Sequence, residues 1–454
     1  MIFKLVYCIY LVICLFFGVV PIFGAITLRH AFTILMVLFC FYEGGVKLDK
    51  FLKWYMVFLF FYVLVEVASG FSSIIFSKLL GTYLASFTLY MATKTMIKKY
   101  DAGMLIIGVL VACGVVNSVV AIAQFYGSPL AQTIPDILHI DIAEEELDMY
   151  EREDLHGSYV GGLMGIVISG YFLSATSVLA LYNRKGKIKV YNWIIFAVIF
   201  FALFLVQERS GVAAGLMCAF LFLALVSVRN RKTLVTSSLV LIVAFFVITK
   251  LGPRFVSFED TRYVVQGMTD ENRINHARSA IEWVLHNPMG GADCYYFFGG
   301  YYPHNFFANA LLYGGVYGGT VLIGIMIAQL VKIGKVFLSY SKGKISSVLL
   351  VVSCVTYLCY TINSFFHNYS LVMGGEMIFL LWAMISSLLE REKRRLLKRR
   401  LQNSIMKSFG KTVNSKRHGR TYTNNRSLRN PCLWKKYPCR IYGQSSGKRI
   451  TTTS

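Results

Sequence analysis

The sequence predicts an all-α, polytopic membrane protein with about 12 transmembrane helices and a large outer loop containing an amphipathic helix, on three observations. Of its 454 residues, 56% are hydrophobic and 15% charged, with a mean hydropathy of +0.58, whereas soluble globular chains carry about a quarter charged residues. Apolar runs of about 17 to 25 residues, the length that crosses roughly 30 Å of hydrocarbon, recur along nearly the whole chain. Lysine and arginine collect in alternate connections between those runs, as they do on the cytoplasmic side of membrane proteins.

In order, the apolar runs cover residues 3–20, 25–41, 52–68, 72–92, 103–125, 158–181, 190–207, 211–228, 233–250, 305–331, 345–362 and 371–389. The first leads directly into further spans and lacks a small-residue cleavage site, so no cleavable leader is expected. Lys47, Lys50 and Lys53, then Lys94, Lys98 and Lys99, then Arg184, Lys185, Lys187 and Lys189 fall on one side. Arg229, Arg231 and Lys232, and then Lys332, Lys335, Lys342 and Lys344, join them. The positive-inside bias makes that side cytoplasmic and puts both termini there.

The formal net charge is +23, but it is concentrated past Glu390, where 19 of the 46 Lys and Arg face a single acid, Glu392. The membrane part is therefore close to neutral, and no nucleic-acid partner is expected. This divides the chain into a membrane domain over 1–390 and a basic cytoplasmic tail over 391–454. The run REKRRLLKRR suits anionic membrane lipids, at about 1 kcal/mol per basic residue near the surface. The polar stretch from about Gln402 lacks apolar periodicity and reads as disordered. Most of the ten cysteines sit singly in apolar runs with no metal-type spacing, so neither a disulfide framework, a metal site nor a cofactor is expected.

Two substantial loops lie on the side opposite the basic clusters. The first, 126–157, is acidic, a pattern that reads as a solvated face or as an attractor of divalent cations. The second, 251–303, is too long and too patterned for a plain connection. Within it Thr269 or Asp270 can cap a helix running to Asn287, with Ile274, Ala277, Ile281, Val284 and Leu285 as its apolar stripe, ended by Pro288, Gly290 and Gly291. Such a helix would lie on the outer surface.

Outward-facing basic residues are exceptions to the charge bias and therefore the informative positions. Arg209, in the QERSG turn between two spans, reads either as an interfacial anchor or as a bidentate clamp on phosphate. Arg273 lies in the first turn of the loop helix, where free N–H groups and the helix dipole already favour an anion. His276 and Arg278 follow on the same helix. His304, between Pro303 and Asn305 at the head of a span, is a boundary histidine or a base that takes the proton from an attacking sugar hydroxyl. Asn305 could orient that ring or a sugar. Lys78 sits near the outer start of the fourth run and Glu66 near the outer end of the third, which suggests a mutual ion pair or a substrate contact. Arg29 and His30 open the second run. The aromatic cluster Tyr295, Tyr296, Phe297, Phe298, Tyr301 and Tyr302 reads as an interfacial belt or as a stacking surface for sugars. Gly315-x-x-Gly318 permits close helix approach.

Three of these features together resemble the O-antigen ligases and the related O-antigen and exopolysaccharide polymerases. They are His304-Asn305 followed by Gly315-x-x-Gly318, Arg273 followed by Pro288 and then Gly290-Gly291, and Arg209 in an ERSG turn ahead of a span. The chain departs from the family pattern at Ala277, where members often carry tryptophan. The resemblance implies an inverting, metal-independent glycosyltransferase of the bacterial inner membrane with its active site on the periplasmic side. Its donor would be an undecaprenyl diphosphate-linked glycan and its acceptor a saccharide or the lipid A core. Arg209 and Arg273 would contact the diphosphate and His304 would be essential to transfer. The alternative is a transporter or lipid-linked sugar flippase, which predicts midplane charges, broken helices and two similar halves. The sequence shows charges at the outer ends and unlike halves.

Overall fold

The structure is a computed structural model and describes residues 2–23, 26–44, 48–70, 78–139, 160–184, 188–206, 208–228, 270–365, 371–372 and 374–417. Among these residues the chain is mostly helical, with one short antiparallel hairpin, β1 (Pro21–Phe23) and β2 (Ile26–Thr27), which the sequence did not foreshadow. The helices are α1 (Ile2–Phe16), α2 (Leu28–Tyr42), α3 (Lys50–Ala68), α4 (Leu84–Tyr100), α5 (Gly103–Phe125), and the short α6 (Pro129–Gln132) and α7 (Ile134–Leu138). They continue with α8 (Ile166–Ala180), α9 (Val190–Leu205), α10 (Arg209–Ser227), α11 (Asp270–His286), α12 (Ala292–Phe297), α13 (Phe306–Ser341), α14 (Val348–Ser364) and α15 (Glu376–Arg417). Two compact units result, Met1–Arg395 and Leu396–Ser454, and the fold described below belongs to the first.

Helices α3, α5 and α13, and α10 from Ser210 onward, are long and apolar enough to cross a membrane. Helices α1, α2, α8, α9 and α14 are apolar but shorter. With α4 and α15, helices occupy the positions of the apolar runs except 233–250, which lies outside the described residues, as do 140–159 of the acidic loop and 251–269. The fourth run differs at its far end. A π turn over Leu79–Tyr83 lies within its helix, which continues to Tyr100, past the expected end at 92. The charged end stays helical because its lysines find acids: Lys94 pairs with Asp49 at 2.5 Å, Lys98 with Glu390 at 2.7 Å, and Lys99 with Glu43. Helix α15 likewise continues to Arg417, beyond Gln402.

Helix α8 is central, with 13 of its 15 residues buried and with α5, α9, α10 and α14 packed around it. Polar side chains so deep in an apolar bundle require internal partners. Ser174 and Thr176 donate to the carbonyls of Tyr171 and Phe172, both at 2.8 Å, and Asn117 donates to Ser169 at 3.0 Å.

The most extensive helix contact joins α3 to α13. The buried positions Tyr55, Phe58, Tyr62 and Val65 recur at helical spacing on α3. Opposite them, a Cβ at Gly318 would lie 2.7 Å from Phe61 Cβ, the close approach that the Gly315-x-x-Gly318 spacing anticipates. Gly315 itself breaks the helix, at φ 59° and ψ −171°, a conformation that strongly favours glycine.

Candidate functional site

The head of α13 is fixed by two asparagines. Asn305 is the N-cap, its Oδ1 accepting from the N–H groups of Phe307 at 2.9 Å and Ala308 at 3.1 Å. Asn309 Nδ2 donates to the carbonyl oxygens of Pro303 at 2.6 Å and Asn305 at 3.0 Å. Together they pin the backbone on either side of His304, whose ring is half-buried with Nδ1 inside. The side-chain carbonyl of Asn305, expected to meet substrate, is therefore engaged in helix capping.

The segment leading to His304 is anchored on the ends of α3 and α4. The Gly291 N–H donates to Ser69 Oγ and the Ala292 N–H to Glu66 Oε1, each at 2.9 Å. The Glu66 carboxylate thus meets the N-terminus of α12, where free N–H groups favour an anion. It sits so close that a Cβ on Gly291 would lie 2.4 Å from Glu66 Cδ. Lys78 pairs with Asp293 at 3.3 Å and lies 5.6 Å from the centre of the Tyr313 ring. This corrects the expected Glu66–Lys78 pair. The two residues hold consecutive positions of α12 because that helix offers Glu66 its amides and Lys78 its carboxylate.

Tyrosines complete the cluster. The hydroxyls of Tyr302 and Tyr313 are 2.7 Å apart, and the Tyr296 and Tyr302 rings stack at 4.7 Å. Burial pushes the Tyr296 and Tyr302 hydroxyls above the ordinary tyrosine range, so both remain protonated. Two buried polar atoms here, Glu66 Oε2 and Tyr62 Oη, have no hydrogen-bond partner among the described residues. Buried polar groups left open in this way suit a water or a ligand hydroxyl.

Helix α11 spans Asp270–His286, close to the sequence reading, but its buried face differs. Ala280 and Val284 are buried and Ala277, Ile281 and Trp283 partly so, whereas Ile274 and Leu285 are 65% and 66% exposed. The reason is that α11 packs on α13 rather than lying free. Pro288, just past it, brings its carbonyl within 2.7 Å of where a Gly315 Cβ would be. His276 stacks on Tyr301 with ring centres 4.8 Å apart and 8° between planes. That stack ties the turn after Arg273 to a point three residues before His304. Arg278, proposed from sequence as a substrate contact, pairs instead with Glu282 on the same helix at 2.7 Å, both exposed.

The start of α10 belongs to the same end of the bundle. A Cβ on Gly211 would lie 2.9 Å from the Gly170 carbonyl. The neighbouring Tyr171 hydroxyl donates to the Asn363 carbonyl at 3.3 Å, and Phe365 stacks on Phe307 at 5.6 Å beside Asn305. The heads of α10 and α13 thus lie toward the same end of the bundle. The side chains of Arg209 and Arg273 lie outside the described residues.

Arg29 pairs with Glu376 at 2.7 Å, and His30 Nδ1 accepts from the Thr27 N–H at 3.0 Å. Both therefore serve the head of α2. Asp293, Tyr62 and Tyr313 escaped the sequence reading, and only Asp293, placed just after Gly290-Gly291 and opposite in charge to Lys78, carried a readable signal. Among the described residues no group of three or more His, Cys, Asp or Glu could hold a metal ion. Comparison of the chain with protein-family models, with curated proteins and with solved structures gives no match.

The Lys78–Asp293 pair is expected to act as one unit. Lys78→Met and Asp293→Asn should each lower thermal stability in detergent, and the double variant should lose no more than the worse single one. Additive losses would mean the pair is uncoupled.

Proposed function

We propose that this chain is a membrane glycosyltransferase. It moves a glycan from undecaprenyl diphosphate to a saccharide acceptor, as an O-antigen or exopolysaccharide polymerase or an O-antigen ligase does, at the outer face of the bacterial inner membrane. The proposal includes the twelve-span topology with cytoplasmic termini. The two acceptors, another lipid-linked repeat and the lipid A core, share the donor chemistry, and a polymerase is the preferred assignment.

In the proposed step a sugar hydroxyl of the acceptor attacks the anomeric carbon of the donor. The new C–O bond forms as the old one breaks, with inversion, and undecaprenyl diphosphate departs with the electron pair. His304 takes the hydroxyl proton and returns it to water. Arg209 and Arg273 offset the charge developing on the diphosphate. Glu66 Oε2 and the Tyr62 hydroxyl provide hydrogen-bonding capacity for the acceptor.

The observation that carries this reading is the His276–Tyr301 stack at 4.8 Å. Through it the helix whose first turn bears an arginine, an anion-favouring place, adjoins the fixed head of α13 and its histidine. Arg273→Ala is the direct test, assayed with purified lipid diphosphate-linked glycan and acceptor. The expected result is a fall in transfer of roughly 10²-fold with normal membrane insertion. Full activity would overturn the donor-site assignment, and glycan uptake into vesicles without lengthening would make the chain a transporter. Deletion after residue 402 is expected to leave transfer unchanged, and a truncated protein that inserts normally but does not transfer would overturn this.

A further inference from the structure

At the end of the bundle away from His304 is a cavity of about 310 Å³. Helix α14 joins the two ends, with Ser347 lining this cavity and Phe365 packed against Phe306 and Phe307. Its 17 residues, at about 1.5 Å each, separate them by about 25 Å, close to the thickness of a hydrocarbon layer.

Both charged and apolar side chains line this cavity. Arg184, Arg391 and Arg395 line it with Asp101 and Glu392, an excess of one positive charge. Arg391 Nη2 donates to Asp101 Oδ2 at 2.8 Å and Arg395 pairs with Glu392 at 3.1 Å. Arg391, then Arg395 and Arg184, hold the Asp101 carboxyl below its ordinary range, so it remains ionised and keeps Arg391 oriented. Arg184 is exposed at the edge and has no ion pair among the described residues. The lining also includes Leu388, which is buried, and Met104, 48% exposed on an apolar helix.

We propose that this cavity is a binding site for the phosphate head of an anionic membrane phospholipid, with Arg184 as its open cation and the Met104 side facing the first methylenes of an acyl chain. A free phosphate would use the same guanidinium but gain nothing from the apolar wall. A basic recess between apolar helices, at the end where lysines and arginines collect, is where anionic head groups are favoured. The inference does not depend on glycan transfer.

The test is native mass spectrometry of the full chain in mild detergent with phosphatidylglycerol or phosphatidylcholine. Wild type should retain one phosphatidylglycerol and release phosphatidylcholine. Arg184→Glu should weaken that retention roughly thirtyfold, by analogy with two units of charge near an anionic head. Lys393→Glu, an equal charge change at an exposed residue two positions from both Arg391 and Arg395 and so on the other face of that helix, should leave it intact. Met104→Trp, which fills the apolar side without altering charge, should also weaken it. Equal losses in Arg184→Glu and Lys393→Glu, or no loss in Arg184→Glu, would overturn the site. Displacement by inorganic phosphate at the same concentration as the lipid would overturn the lipid assignment.

Discussion

His304→Ala is expected to lower glycan transfer by roughly 10² to 10⁴-fold, the range that a positioned general base contributes. The measurement is chain lengthening or ligation with purified lipid diphosphate-linked donor at saturating acceptor. Binding of donor should change little, because the arginines rather than the imidazole are assigned to the diphosphate. The framing of His304 by Asn305 and Asn309 makes this a clean substitution. The cap hydrogen bonds at 2.9 and 3.1 Å and the Asn309 bonds at 2.6 and 3.0 Å use other atoms, so the helix head should survive removal of the ring. An alanine variant that transfers at the wild-type rate would remove His304 from the chemistry.

Gly315→Val is expected to have the largest effect on the fold. The residue adopts φ 59°, and a Cβ there would approach the Pro288 carbonyl to 2.7 Å and Val65 Cγ2 to 3.0 Å. A β-branched side chain meets backbone strain and two obstructions at once, a loss of several kcal/mol by comparison with single strained or overpacked positions. Thermal unfolding in detergent should show a clear fall in midpoint, accompanied by loss of transfer. Gly324→Val, on the same helix with nothing within 4 Å of its would-be Cβ, is the control and should cost about 1 kcal/mol or less. Equal melting of the two variants would show that the break at Gly315 is not a structural requirement.

The helices were readable because crossing or lining an apolar layer demands long hydrophobic runs, and those runs dominate the sequence. The loop helix α11 was readable too, from its capping residues and the Pro288 stop. Its buried face was not, because it is set by later parts of the chain: α13, which begins 20 residues after α11 ends and packs on it, and Tyr295, whose ring meets Trp283 at 5.3 Å. The partner of Glu66 was unreadable for a related reason. It is the amide of Ala292, 226 residues away, and backbone amides carry no sequence signature. The acids that neutralise the basic end, Glu43, Asp49, Asp101 and Glu390, were visible one by one, but their pairing with Lys99, Lys94, Arg391 and Lys98 depends on which helices adjoin. For the site, the ion pair of Arg278 with Glu282 and the capping role of the Asn305 side-chain oxygen were not read from sequence.

Helix α13 has 36 residues, about 54 Å if straight, and its break at Gly315 leaves nine of them ahead of the change in direction. The short leading piece is braced against the start of the shaft behind it, a Cβ at Gly319 meeting Leu311 Cα at 2.6 Å. The imidazole thus stands at a buttressed corner rather than at the tip of a straight rod.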